Sequence, residues 1–128
     1  LVAETDDMIR TVMRHRIQKH GAVVVEASDG MEVVGVAQAT QFDLVVISAT
    51  LPGLDGFEVI SWLRESQHGA YVPVMMTAWP GDTSDMSRAF ETGADDFLRK
   101  PFSPAEMIAR LKRLLSKSEP RGGNGDSS

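Results

Sequence analysis

Four places in the chain carry side chains that could do chemistry together. Glu4, Thr5, Asp6 and Asp7 stand side by side. Ser48 and Thr50 flank Ala49, Thr77 precedes Ala78, and Lys100 precedes Pro101. Clustered carboxylates are oxygen ligands for a hard divalent cation. Hydroxyls and a lysine beside them are donors to an anionic oxygen. Serine hydrolysis finds no support. No Gly-x-Ser-x-Gly elbow surrounds Ser48, and His15, His20 and His68 have neither a serine partner nor a second ligand at metal spacing. The absence of cysteine excludes a disulfide scaffold, a thiolate metal site and a cysteine nucleophile.

These positions cooperate only if the elements around them bring them to one rim. Leu1 to Glu4 reads as a short strand ending in a carboxylate. Met8, Ile9, Val12, Met13 and Ile17 recur at helical spacing and predict a first helix with one apolar face. Ala22-Val23-Val24-Val25 predicts a second strand, and Met31 to Ala39 a second helix. Leu44-Val45-Val46-Ile47 is a continuous apolar run, the mark of a strand covered on both faces. Phe57, Ile60 and Leu63 predict a third helix. Val72 to Met76 predicts a fourth strand, with Pro73 near its start. Asp85 to Glu91 predicts a fourth helix, stopped by Gly93, and Phe97-Leu98 a fifth strand. Ser103-Pro104-Ala105-Glu106 is a capping box with Pro at the first helical position. It opens a fifth helix carrying Met107, Ile108, Leu111, Leu114 and Leu115. Strands alternating with helices imply an α/β fold, a mostly parallel sheet covered on both faces. In such a sheet ligands bind beyond the carboxyl ends of the strands, where all four chemical positions fall.

The chain has 128 residues, one domain's worth. Hydrophobic residues make up 42% and charged residues 24%, a globular balance rather than a disordered one. Thirteen Lys and Arg against eighteen Asp and Glu leave a net charge of −5, which argues against direct nucleic-acid binding. No apolar run approaches the ~20 residues a membrane-spanning helix needs. The chain opens on Leu1 without an initiator Met or signal peptide, and is expected to be a domain of a longer, cytoplasmic protein.

The order and spacing of several segments carry a family resemblance. They are Leu1-Val2-Ala3-Glu4, Glu26-Ala27-Ser28-Asp29-Gly30, Leu51-Pro52-Gly53-Leu54-Asp55-Gly56, Thr77-Ala78, Gly93-Ala94-Asp95-Asp96-Phe97 and Lys100-Pro101-Phe102. With them the chain resembles the receiver domain of two-component response regulators. The resemblance implies a flavodoxin-like, doubly wound fold: five parallel strands in the order 2-1-3-4-5 with five helices. The receiver is expected over 1–117, followed by a flexible polar tail or linker over 118–128.

Receivers hold Mg²⁺ with an acidic pair after the first strand, an Asp ending the third and a backbone carbonyl two residues later. That Asp accepts the phosphoryl group, and a Thr or Ser and a Lys bind the phosphoryl oxygens. Carried over by the resemblance, Thr77 and Lys100 match, and Glu4 matches the first acid of the pair. The second acid falls on Thr5, the phosphoacceptor position on Ser48, and the metal-binding carbonyl on Thr50. Two of three carboxylates are therefore replaced. Ser48 cannot form an acyl phosphate, and a neutral hydroxyl is a poor Mg²⁺ ligand beside a carboxylate. No cofactor is expected, Mg²⁺ binding is expected to be weak or absent, and only Glu4 and Thr50 remain as metal-ligand candidates. In the family the stretch matching Asp6 and Asp7 has already turned into the first helix and points away. The expected function is an atypical, non-enzymatic receiver acting as a phosphorylation-independent regulatory or protein-interaction module. The competing reading is a phosphorylatable, Mg²⁺-dependent receiver, with Ser48 an engineered substitution or with the acceptor relocated. A flavin-binding flavodoxin relative shares the topology, but the acids after the first strand would repel its phosphate.

Further expectations follow from the resemblance. Glu4 is expected to pair with Lys100 in an emptied pocket, and the Lys100-Pro101 peptide to be cis. Phe97 sits where receivers often place an aromatic that swings with Thr77; the plainer reading is an aromatic at the sheet edge. The C-terminal half looks like the winged-helix DNA-binding subfamily. There an acid matching Asp96 pairs across a two-fold with a base matching Arg110, through the face of the fourth helix, fifth strand and fifth helix. Glu106 matches an acidic dimer position whose basic partner falls on Met86, so the pairing set is incomplete; the expected partner is a protein, with a homodimer through this face as one form of it. A solvated helix face with Glu106 bonded to Arg110 explains the same charges. Trp79 is either a partner contact or a cover packed over the pocket.

Overall fold

The structure is a computed structural model and describes residues 1–81 and 86–118, with the side chain of Ser118 left aside. Five strands and five helices alternate: β1 (Val2–Ala3), α1 (Asp7–Gln18), β2 (Glu26–Ala27), α2 (Gly30–Ala39), β3 (Val45–Ser48), α3 (Gly56–Glu65), β4 (Val74–Ala78), α4 (Met86–Thr92), β5 (Asp96–Arg99) and α5 (Pro104–Ser118). The sheet order is β2-β1-β3-β4-β5 and every pairing is parallel. This is the order the resemblance implied. Parallel strands need crossovers, and α1 to α4 supply the four between the five strands.

The helix starts are written in short polar side chains. Asp6, Asp29 and Asp55 cap α1, α2 and α3, each accepting a backbone N–H three residues on, from Ile9, Glu32 and Glu58. Glu58 reaches back to the Asp55 N–H and closes a capping box. Ser103 Oγ accepts the Glu106 N–H at 3.0 Å and opens α5 with Pro104 in the first turn.

Two apolar clusters lie on the two faces of the sheet. On one face Met13 of α1 and Met107, Leu111 and Leu114 of α5 pack with Val2, Val46, Met75 and Leu98. On the other, Val33 and Ala37 of α2, Phe57, Ile60 and Leu63 of α3 and Ala89 of α4 pack with Ala3, Ile47 and Met76. Every residue of β3 and β4 is buried. Inward and outward side chains alternate along these strands, so both sets meet a helix layer.

Several boundaries differ from the sequence expectation. The second strand is Glu26–Ala27, not Ala22 to Val25. β1 offers ladder partners only to those two residues, Val2 opposite Glu26 and Ala3 opposite Ala27. β-branched side chains favour a strand without supplying the partner that makes one, and Val23 is left 92% exposed. β4 starts at Val74, one residue after Pro73, and runs on through Thr77 and Ala78. The apolar stripe of α1 is wider than its contact. Met13 is buried and Ile9 and Ile17 half-buried, while Met8 and Val12 face solvent. The α4 expectation began at Asp85, which lies outside the described residues, as does the expected tail from 119 onward. α5 continues through Ser118, one residue past the expected boundary, because no Gly or Pro interrupts it earlier.

Candidate functional site

Strand pairing brings the four chemical positions together. Glu4 follows β1, Ser48 ends β3, Thr77 lies one residue from the end of β4, and Lys100 follows β5. Val2 and Ala3 pair with Val46 and Ile47, and Ser48 stands opposite Thr77. Parallel strands in register end on the same edge, so these side chains share one rim.

At its centre is a buried ion pair. Lys100 Nζ donates to Glu4 Oε1 at 2.6 Å, with the two side chains 3% and 2% exposed. Lys100 Nζ also donates to Ser48 Oγ at 3.2 Å. The Thr50 N–H donates to the same Ser48 oxygen at 3.3 Å. Glu4 Oε2 accepts the Asp6 N–H at 3.0 Å, so both carboxylate oxygens are engaged. Lys100 acts here as a donor to two oxygens, the role of an ammonium and not of a base for Ser48. Thr77 is fully buried beside them, and its Oγ1 has no hydrogen-bond partner. The Lys100-Pro101 peptide is cis.

Arg10 closes the acidic end of the rim and was not singled out in the sequence. Its Nη1 donates to the Glu4 carbonyl at 2.7 Å, Nε to Glu26 at 3.1 Å and Nη2 to Asp7 at 2.5 Å. The Asp7 hydrogen bond raises its pKa above the ordinary arginine value, against the opposing effect of burial. The only sequence signal was an acid–base pair three residues apart on a helix. Asp6 and Asp7 are thus occupied as a helix cap and an arginine partner. Thr5 and Thr50 are exposed, and of Thr50 only the backbone amide joins the cluster. Among the described residues no group of three or more His, Asp or Glu could hold a metal ion. Trp79, 44% exposed, lies over the cluster with Lys100 Nζ 5.7 Å from its ring centroid, within cation–π reach.

The other expected residues fall outside this rim. Phe97 is buried in the core with Ala89 and Ala94, although it stands on the edge strand β5. Asp96, Glu106 and Arg110 form a separate cluster closed within the chain. Arg110 Nη1 reaches Asp96 at 2.9 Å and Arg113 Nη2 reaches it at 3.0 Å, while Arg110 also meets Glu106 at 3.3 Å. Burial works to lower the Arg110 pKa, but the hydrogen bonds and charges of Asp96 and Glu106 together outweigh it and raise it.

Arg64 is a second residue that sequence reasoning missed. It donates to the carbonyls of Gly69, Val72 and Gly93 and to Asp95, which in turn accepts the Val74 N–H. It ties α3 to the loops that launch β4 and β5. Nothing in the local sequence marks a contact spanning 29 residues.

Residues 1–112 match the family described as "Response regulator receiver domain". The alkaline phosphatase synthesis transcriptional regulatory protein PhoP of Bacillus subtilis (strain 168) is 37% identical over 119 residues, 93% of this chain and 49% of that protein. The transcriptional regulatory protein SrrA of Staphylococcus aureus (strain NCTC 8325 / PS 47) is 31% identical over 119 residues, 93% of this chain and 48% of that protein. The chain spans about half the length of these curated relatives. Among solved structures, the Francisella response regulator 1452 receiver domain superposes with a TM-score of 0.83 at 28% identity, covering 92% of this chain and 96% of that one. The receiver domain of sensor histidine kinase PA1611 from Pseudomonas aeruginosa PAO1, solved with a magnesium ion in its active-site cleft, superposes at 0.82 with 26% identity, covering 90% and 94%.

Proposed function

We propose that this chain, which belongs to the response regulator receiver domain family, is an atypical receiver of two-component signalling that works without phosphorylation, as a regulatory and protein-interaction module. The position where the family keeps its phosphoacceptor Asp falls on Ser48, and that of the second acid after β1 on Thr5. A serine hydroxyl yields a phosphate ester and no acyl phosphate, so phosphotransfer to a carboxylate has no acceptor here.

The observation that carries this reading is the Lys100–Glu4 pair at 2.6 Å. It occupies the one carboxylate left at the pocket with a cation from the chain itself. Mg²⁺ takes oxygen ligands in near-octahedral geometry and relies on carboxylates. One carboxylate already neutralised by Lys100, with serine and threonine hydroxyls around it, does not fit that ion. Asp6 and Asp7, held as a cap and by Arg10, are poor substitutes. We therefore assign no catalytic role to the pocket.

The partner in this reading is a protein, and the α4–β5–α5 face, where Met86 and Phe90 are exposed, is a contact surface. A homodimer through that face would require Asp96 to exchange Arg110 of its own chain for that of the second copy. The winged-helix likeness of the C-terminal half belongs to the same proposal. The regulatory role named for the curated relatives belongs to proteins about twice as long, and only the receiver half is carried over. No described helix is long and apolar enough to cross a membrane, and a cytoplasmic setting is part of the proposal.

The test is intact-mass spectrometry after incubation with acetyl phosphate and Mg²⁺. The chain is expected to gain no phosphoryl adduct, and the Thr5→Asp, Ser48→Asp double variant to gain one. An adduct on the unaltered chain would overturn the reading, and mapping it would locate a relocated acceptor.

A further inference from the structure

The cations of this acidic chain are not evenly used. Arg10, Arg14, Arg64, Lys100, Arg110 and Arg113 all meet carboxylates of the same chain. Arg88 lies over the ring of Phe57. Arg16, Lys19 and Lys112 enter none of the ion pairs found among the described residues, and all three are exposed. Arg99 and Lys117 also enter none and do not line this groove, whereas Arg16, Lys19 and Lys112 gather in one place. With His20 they line a groove of about 420 Å³ between α1 and α5, floored by Ala105 and Ile108, and no acidic residue lines it.

A helix C-terminus attracts cations, which accounts in part for Arg16 and Lys19 at the end of α1. It does not account for Lys112, which is inside α5 and six residues from its end. Three like charges held around one groove without a counter-charge repel one another, and an anionic partner relieves that repulsion. The groove also has an apolar side. That side is made by Pro104, Ala105, Ile108 and Ala109 of the groove itself.

We propose that this groove docks an acidic peptide segment of a partner protein, one with a bulky apolar side chain set among its carboxylates. Charge complementarity places the carboxylates on Arg16, Lys19 and Lys112, and the apolar side chain packs on Pro104, Ala105 and Ile108. A peptide fits better than a nucleic acid. Duplex DNA carries a charge every ~1.7 Å and needs an extended basic stripe, whereas this patch is short and the chain around it has a net charge of −5. The surface involves none of the residues around Ser48, so it stands or falls apart from the pocket reading.

The probe is a fluorescein-labelled helical peptide of Glu, Ala and Leu, with Leu recurring at three- and four-residue spacing. A matched peptide with Lys for each Glu and a fluorescein-labelled DNA duplex serve as controls. Binding is read by anisotropy and located by amide shifts in ¹⁵N-labelled protein. The acidic peptide is expected to bind and to shift Arg16, Lys19, His20, Ile108 and Lys112. The Lys19→Glu, Lys112→Glu variant, with circular dichroism and urea midpoint unchanged, is expected to weaken binding about tenfold or more. Absence of shifts at the groove, equal binding of the Lys peptide, equal binding of the duplex, or an unaffected double variant would each overturn the proposal. So would shifts at the same residues that grow with protein concentration alone, because the occupant would then be a second copy of the chain.

Discussion

Glu4 and Lys100 are separated by 96 positions in the chain and meet in near-complete burial. A buried pair of this kind is costly to break one side at a time, because the remaining charge has no water and no partner. Lys100→Met is expected to destabilise the fold by about 3–5 kcal/mol in urea unfolding. Glu4→Leu alone is expected to cost a similar amount, and the double variant much less than the sum. Strict additivity would show that the two charges do not depend on each other in the fold. The pairing itself was expected from the family resemblance, as were the cis peptide and the nearness of Ser48. The arrangement of Arg10 was not, because its three acceptors come from the residue after β1, from α1 and from β2. Nor was the unpartnered hydroxyl of Thr77, since a sequence names a donor without saying what surrounds it.

At the scale of the element, two helical glycines separate local propensity from tertiary contact. Gly35, within α2, has nothing within 4 Å of where a Cβ would stand. Gly35→Ala is therefore expected to stabilise the protein by up to about 1 kcal/mol, through helix propensity and a smaller loss of backbone entropy. Gly56 opens α3 with its backbone against the end of β3. A Cβ there would overlap the Ser48 carbonyl oxygen and come within 2.9 Å of Ala49 Cα. Gly56→Ala is expected to cost about 2 kcal/mol or more, and to shift the Ser48 amide in an NMR spectrum. A stabilised Gly56→Ala would contradict the close approach of α3 to the site. The cap at Ser103 was legible because a cap is a local bond between residues three apart. The extent of β2 was not, because a strand exists only as far as its neighbour supplies a ladder.

For the whole molecule, the sheet divides the interior into two clusters that share no residue. Ile60 belongs to one and Met107 to the other, and both are fully buried. Ile60→Val is expected to cost about 1 kcal/mol and Met107→Ala about 2–5 kcal/mol. The double variant is expected to equal their sum within about 0.5 kcal/mol, measured by urea unfolding with an unchanged m value. A larger deviation would mean that the two faces communicate through the sheet.

The sequence by itself determined the kind and order of the elements. Helical spacings, the capping box at Ser103 and apolar runs act over a few residues and do not depend on the rest of the chain. It also placed Glu4, Ser48, Thr77 and Lys100 at strand ends, and with the family pattern it assigned them to one pocket. The tertiary structure decided what those groups do to one another. It gave both oxygens of Glu4 to Lys100 and the Asp6 amide. It turned Asp96 inward to two arginines of its own chain, and it left three cations of α1 and α5 around one groove. These outcomes rest on distances between residues far apart in the chain. Only the packing of helices on the sheet sets such distances, and no local pattern encodes them.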